Sequence, residues 1–401
     1  MSDLSAAPAG GRPLAEEVAT RVARVLAPDP NGYPLHAPEI DGNAWAYVKD
    51  CFDSGWVSSV GRWVNRFEEM LAETTGARHA VATVNGTAAL HAALLSAGTE
   101  PGDEVLVPSF TFVASANAIA YCGAQPHFVD CEDESLGIDP AKLEDHLDRT
   151  LTHDNGKWIN RITHAPVRAL VVVYCSAMTG LNAVAADYGL TVIEDAAESL
   201  GSFIGGKHTG RLGRAGILSF NGNKTITTGG GGAIVTDDDL LARKVRHLTT
   251  TARAGDGCEL VHDAIGYNYR LPNINAAVGC AQLETLTAKL ATKARLAERY
   301  RNAVAGLEGV RMVTDAAGRT SNHWLNALVF DHGADRDAAL EALRAGGIES
   351  RPFWFPLHQM AMYADAPRAE LPMTEALAAR GLLLPSGPGL ALADETASSK
   401  H

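Results

Sequence analysis

From about residue 79 the chain alternates between short aliphatic runs and stretches with helical spacing. HAVATV (79–84), EVLVPS (104–109), PHFVD (126–130), RALVVVY (168–174), TVIEDAAE (191–198), GILSF (216–220) and GAIVTDD (232–238) predict strands. GTAALHAALLSAG reads as a helix starting at Thr87, FVASANAIAYCG as a second, and LNAVAADYG as a short third. Strands that are apolar throughout, separated by helices, predict an α/β domain with a mostly parallel sheet covered on both faces. Beyond about 285 the pattern changes. TAKLATKARLAERYRNAVAGL is a long amphipathic helix, with Leu286, Leu290, Leu296 and Tyr300 among its apolar positions. HWLNALVF, a helix over DRDAALEALRAGG, and the Pro-rich RPFWFPLH then predict a smaller α+β lobe. The resulting division is an irregular Ala/Pro/Gly-rich lead-in over 1–36, a large domain over 37–284 and a small C-terminal domain over 285–401. No internal repeat is visible.

Length and charge narrow the function. The 401 residues suffice for two lobes, and 46% apolar with 20% charged residues is ordinary for a globular protein. A net charge of −13 argues against nucleic acid as a partner. No apolar run approaches the roughly 18 residues of a membrane span, and the N-terminus lacks an apolar signal core. The six cysteines form no CxxC and no zinc spacing, which predicts reduced thiols, a cytoplasmic protein and no metal.

Ligands of parallel α/β sheets bind at the carboxyl ends of strands, and three segments carry unusual chemistry there. VNGTAAL (84–90) joins a strand to a helix through Gly86, either a phosphate cradle or a plain turn with a Thr cap. VIEDAAE (192–198) ends an apolar strand in carboxylates, which suit a cationic heterocycle or simply mark the strand leaving the core. SFNGNKTITTGGGGAIV (219–235) sets Lys224 beside an apolar strand, as a desolvated nucleophile or a solvent-facing turn lysine. Its glycines are followed directly by a strand, so they sit within a domain and allow close backbone packing or ligand approach. Singly each signal is weak. In this order they supply what pyridoxal 5′-phosphate (PLP) needs: a phosphate anchor, an acid for the ring nitrogen and a lysine for the aldehyde.

At these residues the chain resembles the DegT/DnrJ/EryC1/StrS family of PLP-dependent sugar aminotransferases. NGTAAL, PSFTFVASANAI, VIEDAAESLGS, SFNGNKTITTGGGGAIVTDD, GYNYRLPNINAAVG, DSGWVSSVGRWVNRFEE, SNHWLNAL, RPFWFPLH and LPSG match in order, over roughly 37–390. The resemblance implies PLP fold type I, like aspartate aminotransferase, with a seven-stranded mostly parallel sheet. It implies transfer of an amino group from an amino acid, L-glutamate in the family, to a keto nucleotide sugar. The acceptor expected is a 4-keto-6-deoxyhexose, particularly of the UDP-linked branch. An antibiotic-type sugar or cyclitol acceptor, and an inactive PLP-binding regulator, are the alternatives; PLP deoxygenases of this family carry histidine where this chain has Lys224.

The same resemblance assigns roles. Lys224 binds the cofactor aldehyde and moves the proton. Asp195 pairs with the pyridine nitrogen, Glu198 approaches the phenolic oxygen and Phe112 stacks on the ring. Gly86 lets the phosphate approach the Thr87 and Ala88 N–H groups and the Ser219 hydroxyl. Asn268 reaches the phosphate of the neighbouring subunit, which implies a homodimer with shared active sites. Trp56, Ser58, Arg270, His323, Trp324 and His358 are the candidates for the substrate. Two departures stand out: CSAMTGLNAV, after Tyr174, is about four residues shorter than the family's loop, and the closing helix expected after LPSG is not evident in PGLALADETASSKH.

Overall fold

The computed structural model describes residues 11–26, 32–173, 177–255 and 260–390. Seven strands build the main sheet: β1 (His79–Thr83), β2 (Glu104–Pro108), β3 (Gln125–Val129), β4 (Val167–Val173), β5 (Thr191–Asp195), β6 (Ala215–Ser219) and β7 (Gly232–Thr236). Their spatial order is β1-β7-β6-β5-β4-β2-β3. The neighbours from β6 through β3 pair in parallel, and β7 alone runs antiparallel to β1 and β6. The reversal has a local cause. β7 follows β6 through the Lys224–glycine turn, without the crossover helix a parallel neighbour requires.

Successive residues of each strand feed opposite cores. Val171, Val173, Ile193, Ile217 and Ile234 pack with the helices Gly86–Ala97 and Val113–Tyr121. Leu170, Val172 and Val192 pack with Pro140–Thr150 and Met178–Asp187. Leu218, Ala233 and Val235 meet Phe67, Leu71 and Leu283. Burial on both faces is why these strands read as continuous apolar runs.

The second sheet is antiparallel, in the order Val310–Met312, Asn326–Phe330, Gly381–Leu384 and Arg351–Pro352. The predicted long helix spans Leu286–Val304, and its Leu296 and Tyr300 pack against this sheet with Leu340 and Leu343 of the helix Gly333–Ala345.

The lead-in is a correction. Expected to be irregular, it forms a helix over Gly11–Val25. Ala15, Val18, Val22 and Val25 recur every three or four residues, and all four are buried against Tyr300, Leu343 and Ile348. Arg21 donates to the Ala303 carbonyl at 3.1 Å, at the end of the long helix, where a cation also meets the negative end of the helix dipole. The hairpin Leu151–Asp154/Lys157–Asn160 was not predicted; it turns through Asn155 and Gly156, at φ 48° and 78°.

Of the two expected departures, the start of the shortened loop (174–176) and the chain beyond 390 lie outside the described residues. Among the described residues no helix is long and apolar enough to cross a membrane, no cluster of three metal-ligating side chains occurs, and Cys51, Cys122, Cys131 and Cys280 are free and buried.

Candidate active site

The three strand ends converge on one cleft of about 340 Å³, whose lining includes Gly86, Thr87, Phe112, Asp195, Glu198, Ser219 and Lys224. At one end, β1 leads through Asn85 into the helix Gly86–Ala97. The first N–H groups of a helix have no intrahelical acceptors and form an anion site. The helix begins one residue before the predicted Thr87, because Asn85 is the cap. Its Oδ1 accepts the Ala88 N–H at 2.8 Å, so the Ala88 donor expected for phosphate is already engaged. Gly86 and Thr87 supply the open N–H groups, and Ser219 ends β6 beside them. A Cβ at Gly86 would stand 3.1 Å from the Ser219 Cβ.

The glycine run has a matching explanation. A Cβ at Gly232 would lie 2.4 Å from the Asn85 carbonyl carbon and 2.6 Å from the Gly86 nitrogen. Glycine therefore lets β7 pass directly against the phosphate-facing turn. Gly229, at φ +80°, turns the chain into that approach.

The two carboxylates ending β5 face opposite sides of the sheet and have opposite surroundings. Glu194 is fully buried and accepts the Gly210, Leu212 and Gly213 N–H groups at 2.7, 2.5 and 2.6 Å. It ties down the following loop. Asp195 faces the cleft, where Ser115 Oγ donates to its Oδ2 at 2.7 Å and the Ala197 N–H reaches Oδ1 at 3.3 Å. Burial, together with the nearby Glu198 charge, raises the Asp195 carboxyl to about 6. Among the described residues it forms no ion pair, the Lys224 charge only partly offsetting burial, and a protonated pyridine nitrogen would supply a partner.

Lys224 lies on a turn closed by its own N–H to the Asn221 carbonyl at 3.0 Å. The turn is anchored below by Phe220, whose N–H bonds Gly231 and whose carbonyl accepts the Thr228 N–H. The solvent-facing alternative does not hold: the Lys224 side chain is only 12% exposed. Its Nζ pairs with Glu198 Oε1 and stands 4.3 Å above the Trp324 ring. Trp324 in turn donates from Nε1 to the Asn223 carbonyl at 2.7 Å. Asn322 binds the Glu198 carbonyl at 2.7 Å and Thr225 Oγ1 at 3.1 Å. Phe112, half exposed, lines the same cleft, with its ring centroid 5.7 Å from that of Trp354.

Of the substrate candidates, only Trp324 lines this cleft. His323, at φ +49°, lines an adjoining cavity of about 140 Å³. His358 is a correction: it is buried away from the cleft, bonding Ser109 Oγ at 2.8 Å and Glu375 at 3.1 Å. Arg270 is another. Its Nη2 donates to Glu68 at 2.6 Å and the residue is buried, so in this chain it forms an ion pair outside the cleft. Trp56 is 57% exposed beside a separate concavity that Arg270 also borders. Ser58 is exposed, and its carbonyl accepts the Asn273 N–H. Asn268 is exposed and outside the cleft of its own chain.

Sequence reasoning missed Ser115, Asn322, Arg351 and Trp354. Ser115 and Asn322 hold site residues, while Arg351 and Trp354 line the cleft. Ser115 sits in an Ala-rich helix where a small polar residue gives no distinct signal. An anion cradle, a buried carboxylate with no ion-pair partner among the described residues and a desolvated amine in one cleft form a donor set that fits PLP.

Residues 38–397 match the DegT/DnrJ/EryC1/StrS aminotransferase family. A GDP-perosamine synthase of Vibrio cholerae is 38% identical over 360 residues, covering 89% of this chain and 94% of the relative. A GDP-perosamine synthase of Caulobacter vibrioides is 41% identical over 366 residues, with the same coverage. A family member from Brucella abortus has a solved structure with a TM-score of 0.79 at 31% identity, covering 88% of this chain and 93% of that one. DesI, solved in the presence of its TDP-sugar product, gives 0.77 at 30% identity, covering 92% and 91%. The chain thus belongs to the DegT/DnrJ/EryC1/StrS aminotransferase family and is a PLP-dependent aminotransferase of fold type I.

Proposed function

We propose that this enzyme moves an amino group from L-glutamate to the keto carbon of a nucleotide-linked 4-keto-6-deoxyhexose, in two half-reactions that share one cleft. The observation that carries the reading is the Lys224 amine, withdrawn from solvent and held by Glu198 in the cleft that also contains Asp195 and the open helix end. The relatives support the substrate class: two are named for a GDP-linked amino sugar, and one solved neighbour was crystallised with a TDP-sugar. These names favour testing GDP and TDP acceptors beside the UDP acceptors expected from the sequence.

PLP, when bound, supplies an aldehyde that accepts the amino group and a ring that stores the electron pair. The chain supplies the rest. Gly86 and Thr87 N–H groups and Ser219 Oγ hold the phosphate. Asp195, steadied by Ser115, keeps a proton on the pyridine nitrogen. Phe112 covers the ring face. Glu198 and Trp324 hold Lys224 Nζ, which carries the proton away from the donor carbon and later delivers it to the sugar carbon. Asn268 acts in the partner's site, which makes a homodimer the working unit.

Borohydride reduction of the PLP-loaded protein, followed by peptide mass analysis, is expected to fix the cofactor on Lys224. Lys224→Ala is expected to fold, escape that modification and lose turnover by at least about 10³-fold. Retained turnover would refute the assignment. A panel of GDP-, TDP- and UDP-linked 4-keto-6-deoxyhexoses, offered to glutamate-treated protein, reads the acceptor. For the shared site, mixing inactive Lys224→Ala with inactive Asn268→Ala is expected to restore activity, because one site of each mixed dimer is then intact. No recovery after subunit exchange would remove the partner role.

A further inference from the structure

The helix Leu286–Val304 buries a lysine that the proposed chemistry does not use. Lys293 is 0% exposed and, among the described residues, pairs with no carboxylate. Its Nζ instead meets three neutral acceptors on three separate segments: His36 Nε2 at 3.1 Å, the Trp324 carbonyl at 3.2 Å and the Ser386 carbonyl. An ammonium has three N–H donors, so the three acceptors match its charged form. Removing a charge from water without a counter-charge is costly, and burial lowers the Lys293 pKa to about 7. A methionine would fill the same space without that penalty, so packing alone does not explain a lysine here.

What the amine grips suggests its use. Ser386 belongs to LPSG, a motif to which the reaction assigns no role. Its Oγ accepts the Asn326 N–H at 2.8 Å, and Tyr300 of the same helix bonds the Pro385 carbonyl at 2.9 Å. The Trp324 contact leads to the cleft, since the indole lies beneath Lys224 Nζ and bonds the carbonyl of the residue before it. One buried amine therefore joins the helix, the LPSG turn and the wall under the reacting lysine.

We propose that Lys293 is a positioning residue: by holding the Trp324 carbonyl against the helix and the LPSG turn, it fixes the indole under Lys224 and so sets the placement of the Lys224 amine. The inference rests on the role of Lys224 given above. The titratable groups facing Lys293 are His36, which burial and the Lys293 and Lys224 charges hold at about 3 and hence neutral, and His323, also lowered by burial, on which the Asp315 and Arg301 charges act as well. His36 Nε2 is then the acceptor, and its Nδ1 carries the ring proton.

The test uses full-length, PLP-loaded protein and the variants Lys293→Met, Trp324→Leu and the two together. The readouts are the rate of the absorbance change on adding L-glutamate, the glutamate concentration for half-maximal rate, the pH midpoint of the cofactor absorbance, and borohydride capture at residue 224. Lys293→Met is expected to capture PLP at Lys224 as the parent does. It should react about tenfold or more slowly, with half-saturation within about threefold of the parent and a shifted absorbance midpoint, as displacement of a reacting group produces. Trp324→Leu should show the same pattern, and the double variant should be no slower than Trp324→Leu alone. Lower thermal stability with unchanged rate and midpoint would overturn the proposal, as would rate losses that multiply in the double variant. If Lys293→Met fails to fold, Lys293→Leu, which likewise lacks N–H donors, takes its place under the same criteria. Loss of capture at residue 224 in the parent protein would instead break the underlying reading of Lys224, and this inference with it.

Discussion

Two carboxylates at opposite ends of the same sheet are buried and treated in opposite ways. Glu104 begins β2, at the end away from the cleft. His127 Nδ1 lies 2.7 Å from it, Asn160 donates to both of its oxygens, Thr163 binds it too, and His146 extends the network from His127 at 2.7 Å. Burial opposes its charge, but the His127 hydrogen bond and charge, with Asn160 and Thr163, outweigh burial and hold the carboxyl below its ordinary pKa. Asp195 ends β5 with one hydroxyl and one backbone N–H, and burial with Glu198 raises it to about 6. The difference separates a finished structural network from a site awaiting a cationic ligand.

The largest expected effect lies at the unfinished end. On the role proposed for Asp195, Asp195→Asn should slow the proposed glutamate half-reaction by about 10²–10³-fold, the pyridine nitrogen then losing its anion. The same change should stabilise the PLP-free protein at pH 8. A raised folded pKa means that the neutral carboxyl fits the fold; the ionised form weakens it as pH climbs from the ordinary aspartate value through about 6. Melting curves should therefore show a gain of about 1–3 kcal/mol at pH 8 that vanishes near pH 3.5. Equal stability at pH 8 would mean that Asp195 is already satisfied.

At the finished end the signs reverse. Glu104→Gln should cost about 2–3 kcal/mol at pH 7, by denaturant titration, because it leaves a buried network half paired. The glutamate half-reaction of the folded variant should stay within about twofold of the parent, as the network touches no cleft residue. The smallest effect is the pH dependence of that loss. A depressed pKa contributes stability above the ordinary glutamate value and loses it as pH falls through the folded one, so parent and variant should converge in acid. A gap that persisted at pH 3 would assign the loss to hydrogen-bond geometry rather than charge.

Local signals made much of this legible. The seven strands announced themselves as apolar runs, and Lys224, Asp195 and the Gly86 turn fell at strand ends where ligands bind. What depended on distant partners did not show. His358 gave no sign of Ser109, 249 residues earlier, nor Arg270 of Glu68, 202 residues earlier. Ser115 and Ala88 were obscured at shorter range, one by its Ala-rich helix and the other by the Asn85 cap. The hairpin at 151–160 did carry a readable cue: Asn155-Gly156 is a strong two-residue turn signal. The helix at Gly11–Val25 hid because Ala, Pro and Gly dominate the lead-in's composition, while the spacing of its aliphatic residues carried the information.

That helix has a practical consequence. A shortened expression clone beginning at residue 38, where the family match starts, would look sensible on the page. It would strip the cover from Tyr300, Leu343 and Ile348 and leave a greasy, water-exposed face on the second sheet's helices. Such a clone should be recovered mainly as inclusion bodies, and purification tags at this end belong outside residue 11.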